Sequence, residues 1–524
     1  MIGQQPHGRD ARAETGKSGP LSRTLRMACP PALSHYYTRR ALPRPLGSLD
    51  LCLLHFAALF APGPLILLVR ENPLAWLAAV LGALTFLFPM TLAVWQLLSL
   101  APFEGALYAW TARLLGPYWG MVVGISDWLP GLLAAASALV SLVTTLQGLR
   151  VGWLAEPWQR GLVVMALLVL LLALGWQRQR TVQRIVNTLS ALMLAIVLLA
   201  GIGSLVLLPQ RAWRFSLLWR PEWSVAGLSR PSGSLAILLY LGYSVPLSMA
   251  GELRPGVAPG RPLLGGALLA GGSYLLVALS SVVASAGGPD LGLEMVLGHA
   301  ASNLALVGLL AFYLCAAFVH TSAGTRWLFV ASLDGLLPTG LARLNSERVP
   351  WRAFLVQTTL TGLLASAVLV LLPQMTSETF PSALGIPLLL ATMALLRLMV
   401  AFFGLYVTAL LSCSQPRTAL GGPTVSPWLL WPGIFMGAVG STLALLGILS
   451  HSWSPALSDA TWTLVTGTLT ALSMSAATVA ALPATTRANH LAPRLFHWLQ
   501  GEPRLSADQA LSSWRSRSPR DLRR

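Results

Sequence analysis

Twelve runs of predominantly apolar residues, each of about 18 or more, limit how this chain can fold. They lie near residues 47–69, 73–99, 117–147, 160–176, 186–208, 234–252, 262–286, 301–330, 353–373, 385–413, 427–449 and 460–482, segments 1 to 12 in chain order. A helix rises about 1.5 Å per residue, so roughly 20 residues cross a hydrocarbon layer about 30 Å thick. Only 10% of the 524 residues are charged while 55% are hydrophobic, too few charges to coat several water-facing surfaces. Soluble chains carry about 25% charged residues. The expected fold class is an all-α polytopic membrane protein with twelve transmembrane helices. A secreted disulfide scaffold, a disordered hub and an ordinary soluble enzyme are excluded.

Lys and Arg number 35 against 18 Asp and Glu. That balance can signal nucleic acid, but its location argues for a membrane. Residues 1–45 hold seven Arg and Lys17 against Asp10 and Glu14, and residues 483–524 hold eight Arg against Glu502, Asp508 and Asp521. Two basic tails around an apolar body are what the positive-inside rule predicts when both termini are cytoplasmic. On that orientation 27 of the 35 basic residues are cytoplasmic, seven are outside (Arg70, Arg150, Arg160, Arg211, Arg214, Arg220, Arg230) and Arg397 lies within a segment. No basic stripe with interleaved aromatics supports a nucleic-acid partner.

The sequence thus predicts a multi-pass protein of the cell membrane with basic cytoplasmic tails over 1–45 and 483–524. Trp213, Trp219 and Trp223 in the outer stretch 209–233 read as an interfacial anchor. Cys29, Cys52, Cys315 and Cys413 have neither metal-site nor disulfide spacing, so no metal or cofactor is expected. The first 45 residues lack the short apolar core of a removable signal peptide, and segment 1 is expected to direct insertion.

Helix breakers inside the segments carry more information than the segments. Segment 1 contains Ala61-Pro62-Gly63-Pro64 and segment 6 contains Gly242-Tyr243-Ser244-Val245-Pro246. Each opens the backbone ladder in mid-membrane, which is tolerated only where protein or a water-filled cavity satisfies the freed groups. Ordinary proline kinks would do the same singly. Breaks at corresponding positions of two halves point instead to a transporter of inverted repeats, five segments plus five, with segments 11 and 12 appended.

Beyond segment 8 the chain reads Arg326-Trp-Leu-Phe-Val-Ala-Ser-Leu-Asp334-Gly335-Leu-Leu-Pro338, then Leu341-Ala342-Arg343-Leu344-Asn345 and Val349-Pro350. This closely resembles the "R…A…DG.LP..L…N…VP" stretch of the amino acid/polyamine/organocation (APC) superfamily. Pro102 to Trp110 with Leu115-Gly116-Pro117 is similar to that family's re-entrant segment after segment 2. Gly242 with Ala250-Gly251-Glu252 and Pro255 is similar to its pattern in segment 6, and Arg184 and Asn187 opening segment 5 also fit. The resemblance runs from about 46 to 415. It implies a ten-helix inverted-repeat core over 46–415, two further helices over 416–482, and secondary transport of amino acids, polyamines or related cations.

Carried over by position, the resemblance puts backbone around Ala61 to Pro64 and Gly242, Tyr243 and Ser244 against the substrate. Half-helix N-termini suit a carboxylate, and freed carbonyls suit an ammonium. The chain departs from the family's Gly-rich stretch in segment 1, because Pro62 and Pro64 have no N–H. An amine without an α-carboxylate, an altered specificity, or a member that has lost ordinary substrate binding are the readings this favours.

A charge near mid-bilayer costs at least ~2.5–3.5 kcal/mol on insertion scales, so ionisable residues inside segments are functional candidates. Asp127 in segment 3, beside Trp128, and Arg397 in segment 10 are the two strongest, and both segments flank the site in the resembling fold. They are expected either to pair structurally or to meet substrate. His55 in segment 1 and His320 in segment 8 are candidates to relay a proton. Thr321, Ser322 and Thr325 are alternative oxygen donors to sodium, or ordinary packing hydroxyls. Glu252, Arg326 and Asp334 are expected at an intracellular gate or in loop-ordering contacts. Tyr108, Trp128, Tyr243, Phe312 and Tyr406 are aromatic candidates for stacking on a substrate cation, Tyr243 foremost.

The expected function is secondary-active transport, by alternating access, of an amino acid or related amine across the lipid bilayer, with proton or sodium as a possible partner and no catalytic residues. A major facilitator protein would need a basic motif between segments 2 and 3, where only Glu104 and Arg113 are charged. A membrane enzyme would need clustered ligands at a membrane face. A non-transporting sensor on the same fold stays open, as does a transporter of another small solute.

Overall fold

The computed structural model describes residues 34, 37–38, 41–65, 75–100, 103–105, 107–150, 152–207, 236–284, 293–376, 385–414, 424–454 and 456–486. Among them the regular elements are helices, joined by a single parallel bridge between Leu46 and Leu253. Ten helices are long and apolar enough to cross a membrane: Trp76–Leu100, Pro117–Gly148, Pro157–Gly175, Gln179–Val206, Gly260–Ala278, Ser302–Leu333, Trp351–Gln374, Gly385–Cys413, Pro427–Ser450 and Asp459–Thr486. They coincide with segments 2 to 5 and 7 to 12. Segments 1 and 6 are represented by the shorter apolar helices Ser48–Leu59 and Ala236–Ser248. The Trp213, Trp219 and Trp223 cluster and most of both tails lie outside the described residues.

Burial sorts the helices into an inner and an outer set. Segment 10 is 78% buried and segments 2, 3 and 8 are 67% buried, against 22% for segments 4 and 12 and 28% for segment 11. Leu162 and Met165 on segment 4, Leu443 on segment 11 and Leu464 on segment 12 turn outward. Water disfavours such an apolar belt at about 25 cal/mol per Å², and hydrocarbon does not.

The two short helices end where the sequence stops supporting them. Phe60 is extended at φ −79°, ψ 108°, terminating Ser48–Leu59. Proline at 62 disfavours helical geometry at Ala61, and neither Pro62 nor Pro64 donates a hydrogen bond. In segment 6, Tyr240 leaves the helical region (φ −114°, ψ 12°) and the chain tightens into a 3₁₀ turn over Leu241–Ser244. A short helix, Val245–Ser248, resumes with Pro246 in its first turn, where the missing N–H costs nothing.

Freed backbone groups at both breaks converge on Tyr274 of segment 7. Its hydroxyl accepts from Ala61 N–H at 2.6 Å and lies 2.7 Å from the Leu59 carbonyl and 2.8 Å from the Leu239 carbonyl. One buried phenol therefore serves both interrupted helices. Tyr240 donates to the Ala79 carbonyl at 2.8 Å, and the Phe86 ring meets Tyr243 edge-on at 5.7 Å, which ties the second break to segment 2.

Candidate functional site

A cavity of about 50 Å³ opens at the breaks, walled by Ala61 to Pro64, Gly242, Ser137, Ser141, His320 and Arg397. A second of about 20 Å³ lies next to it, walled by Asp127, Trp128, Ser244, Trp327, His320 and Arg397. Arg397 and His320 border both. Drug-sized ligands occupy pockets of roughly 300–1,000 Å³, so a metabolite enters only if the walls move apart.

The structure brings Asp127 and Arg397 together. Arg397 Nη1 donates to Asp127 Oδ1 in a buried ion pair, and also to Ser244 Oγ at 2.6 Å. Ser244 in turn donates to Asp127 Oδ1 at 3.0 Å. Segments 3, 10 and broken segment 6 thus meet in one closed triangle. Gly131 lies one turn beyond Asp127, and a Cβ there would stand 3.7 Å from Arg397 Nη2, in ordinary contact. Arg397 Nε has no partner among the described residues. Breaking a buried pair from one side costs ~3–5 kcal/mol, so the triangle is a stable unit unless both charges are offered replacements.

Other candidates fall in different places. Trp128 stacks on Trp327 at 5.4 Å and donates to Gln357 Oε1 at 2.6 Å. Tyr243 is buried beside the break, its hydroxyl without a partner among the described residues. Phe312 packs against Phe56 and Phe60 of segment 1, and Tyr406 is exposed on the outer face. His320 hydrogen-bonds the Ala58 backbone at the end of broken segment 1. His55 is packed instead against Gly266 of segment 7, both ring nitrogens without partners among the described residues. Thr325 donates to the Thr321 carbonyl at 2.8 Å, while the hydroxyls of Thr321 and Ser322 are buried without a partner among the described residues.

The three gate candidates do not form one contact. Arg326 turns inward to Glu252, with Nε at 2.9 Å and Nη2 at 2.8 Å from Oε1, and reaches Gln179 Oε1 at 3.0 Å. Asp334 sits beyond the helix end, where the Ser34 N–H (2.9 Å), the Ser34 hydroxyl (3.0 Å) and the Tyr108 hydroxyl (2.9 Å) donate to it. Ser34, ahead of segment 1, is therefore held against the loop after segment 8.

Burial pushes the Asp334 carboxyl up to about 6, against the opposing pull of the Ser34 and Tyr108 hydrogen bonds. A raised folded pKa contributes folding stability that is fully present below the ordinary carboxylate pKa of about 3.9 and is lost as pH rises through about 6. Global stability measured by denaturant unfolding is expected to lose about 1.4 kcal/mol from this group between about pH 5 and about pH 8. In Asp334→Asn this part of the pH dependence should be missing.

An apolar belt around two interrupted helices, with a buried charge cluster at the interruptions, is the build of a membrane transporter. Residues 54–415 match the amino acid permease family, and the chain belongs to it as an APC superfamily member. With ten helices long and apolar enough to cross a membrane among the described residues, it is a multi-pass membrane protein of that family. The branched-chain amino acid permease BcaP of Lactococcus lactis subsp. cremoris is 27% identical over 289 residues, which are 50% of this chain and 61% of that protein. A solved manganese transporter of Eremococcus coleocola, a histidine-to-alanine variant, aligns with a TM-score of 0.51 at 13% identity, covering 84% of this chain and 94% of that one. At that identity the likeness is one of fold.

Proposed function

We propose that this permease carries a zwitterionic amino acid with an aliphatic side chain, bound between broken segments 1 and 6. The observation that carries the reading is the Asp127–Arg397–Ser244 triangle at the second break. Backbone recognition of a carboxylate is curtailed at the first break: Ala61 N–H is taken by Tyr274, and Pro62 and Pro64 have none. The Arg397 guanidinium supplies the lost function, since its planar fork matches a carboxylate in two parallel hydrogen bonds. Asp127 and the Leu239 carbonyl side of the break take the ammonium. A zwitterion inserted between the two charges exchanges one buried ion pair for two. Leu238, Leu239, Leu390 and Met393 along the cavity suit an aliphatic side chain, which agrees with the substrate in the name of the Lactococcus relative.

Segments 1 and 6 complete twelve crossings in this reading. Segments 1 to 5 and 6 to 10 form two inverted halves over residues 46–415, with segments 11 and 12 and the two basic tails outside that core. The excess of Arg in both tails supports a reading in which they, with Asp334, face the cytoplasmic side of the cell membrane.

Uptake by the purified protein in liposomes tests the substrate class. Labelled leucine, isoleucine or valine is expected to accumulate, and the corresponding decarboxylated amines to be transported at least about tenfold less well, since a buried guanidinium left without its carboxylate forfeits more than 1.4 kcal/mol. Equal uptake of acid and amine would remove Arg397 from substrate recognition. Binding without flux would select the sensor reading.

A further inference from the structure

A second buried charge cluster lies away from the substrate cavity, toward the Asp334 end of the bundle. Glu104 follows segment 2, Glu252 ends broken segment 6 and Arg326 belongs to segment 8, and all three are 1–2% exposed. Glu104 Oε2 accepts the Gly251 N–H at 2.6 Å. A Cβ at 251 would stand 2.7 Å from that oxygen, so a larger residue there would displace the Glu104 carboxylate from its present position. Gly105, at φ +98°, donates to the Ser248 carbonyl at 3.4 Å, so the stretch carrying Glu104 is pinned to both ends of the turn carrying Glu252.

Charge does not balance in this cluster. Two carboxylates act on one guanidinium, and the other hydrogen-bond partners of Arg326 are neutral: Gln179 and the Ser322 carbonyl. Glu104 Oε1 and Glu252 Oε2 are buried with no hydrogen-bond partner among the described residues. Titratable groups close in sequence to the two glutamates are committed elsewhere: Tyr108, one turn along, to Asp334, and exposed Arg254 to Asp50 and the Pro45 carbonyl. A doubly ionised pair would bury an uncompensated negative charge, which proteins avoid by keeping a proton.

We propose that Glu104 and Glu252 hold one exchangeable proton between them at this gate, and that the proton is a coupling ion of the permease. Binding converts one carboxylate to a carboxylic acid and leaves the other to pair with Arg326, so the closed cluster is neutral. Loss of the proton leaves two anions on one cation and drives Glu104 away from the turn at Gly251. That turn is joined through the short helix Val245–Ser248 to Ser244 in the substrate triangle, so the proton and the amino acid act on opposite ends of one rigid piece. Burial, then the Glu252 charge, hold the Glu104 carboxyl well above the usual carboxylate range, against the opposing effect of Arg326. Being raised, it stabilises the closed cluster below the ordinary glutamate pKa of about 4.3, and that stability is lost as pH rises through the folded value.

Infrared spectroscopy of the substrate-free full-length protein tests proton occupancy independently of the proposed substrate. A protonated-carboxyl stretch is expected at about pH 7, disappearing on alkaline titration, and it should be missing from Glu104→Gln. Glu104→Gln keeps an acceptor for Gly251 N–H, so it separates charge from packing. The thermal midpoint of the wild type is expected to fall as pH rises, and that of Glu104→Gln to fall less, by the Asp334 contribution alone. In liposomes, accumulation driven by a gradient of about one pH unit, at most about tenfold for one proton per substrate, should vanish in Glu104→Gln while exchange without a gradient persists. Absence of any protonated-carboxyl band near neutral pH in the wild type would overturn the proposal, whether or not the variant folds. So would gradient-driven uptake by Glu104→Gln at the wild-type level.

Discussion

Gly242→Ala is expected to yield a permease that unfolds at lower temperature and has lost at least about 99% of its uptake, a loss of more than ~2.7 kcal/mol in productive free energy. The reason is a crossing of two backbones. A Cβ at 242 would lie 1.8 Å from the Ala58 carbonyl oxygen and 2.4 Å from its carbon, separations that no side-chain rotation relieves. Relief requires the two broken segments to separate. Tyr274 then no longer reaches Leu59 and Leu239 together, and Ser244, two residues on, moves from the charge triangle. Overpacking typically costs ~1–3 kcal/mol, and the lost shared hydrogen bonds at buried backbone groups add to it. Gly467→Ala is the control, because a Cβ there meets nothing within 4 Å. Its thermal midpoint and uptake should match the wild type. Near-normal uptake by Gly242→Ala would mean that the two breaks do not cross as described.

The second large effect separates the fold from the substrate. Asp127→Asn and Arg397→Gln each leave one buried charge unpaired, and each is expected to destabilise by ~3–5 kcal/mol and to abolish uptake. The double variant places two neutral amides where the charges stood. Its thermal midpoint should recover most of the loss while uptake stays absent, because no group remains to meet either end of a zwitterion. Recovery of both would reduce the pair to a structural role. Recovery of neither would show coupling to further groups, His320 being the adjacent candidate since it borders both cavities.

Much of the architecture is legible in the chain because membrane helices must satisfy their backbones internally, so length and apolarity alone mark segments 2 to 5 and 7 to 12. The two breaks are legible because proline removes a donor wherever it stands. Asp127 and Arg397 stand out for a related reason: a charge inside an apolar run needs a partner. Tyr274 is different. It is one tyrosine in an ordinary apolar helix, and its role exists only once two breaks from distant parts of the chain are folded against it. Glu104 is hidden by its setting, since a carboxylate between two apolar runs reads as a solvated loop until the re-entrant stretch folds it inward. Arg326 and Asp334 lie eight residues apart, which suggests a shared contact. Helix geometry separates them, turning Arg326 toward segment 6 and leaving Asp334 past the helix end for Ser34 and Tyr108.

Substrate protection of the cavity wall tests the central claim most directly. Ser137 lines the larger cavity, so Ser137→Cys, with the native cysteines replaced, places a thiol beside the proposed site. A small alkylating reagent is expected to modify it, and leucine or valine at saturating concentration to slow the modification at least about tenfold, as binding beyond 90% occupancy requires. The decarboxylated amines should not protect, and protection should disappear when Arg397→Gln is added. Alkylation at one rate with and without amino acid, in a protein that still transports that amino acid, would place the substrate elsewhere and contradict the account.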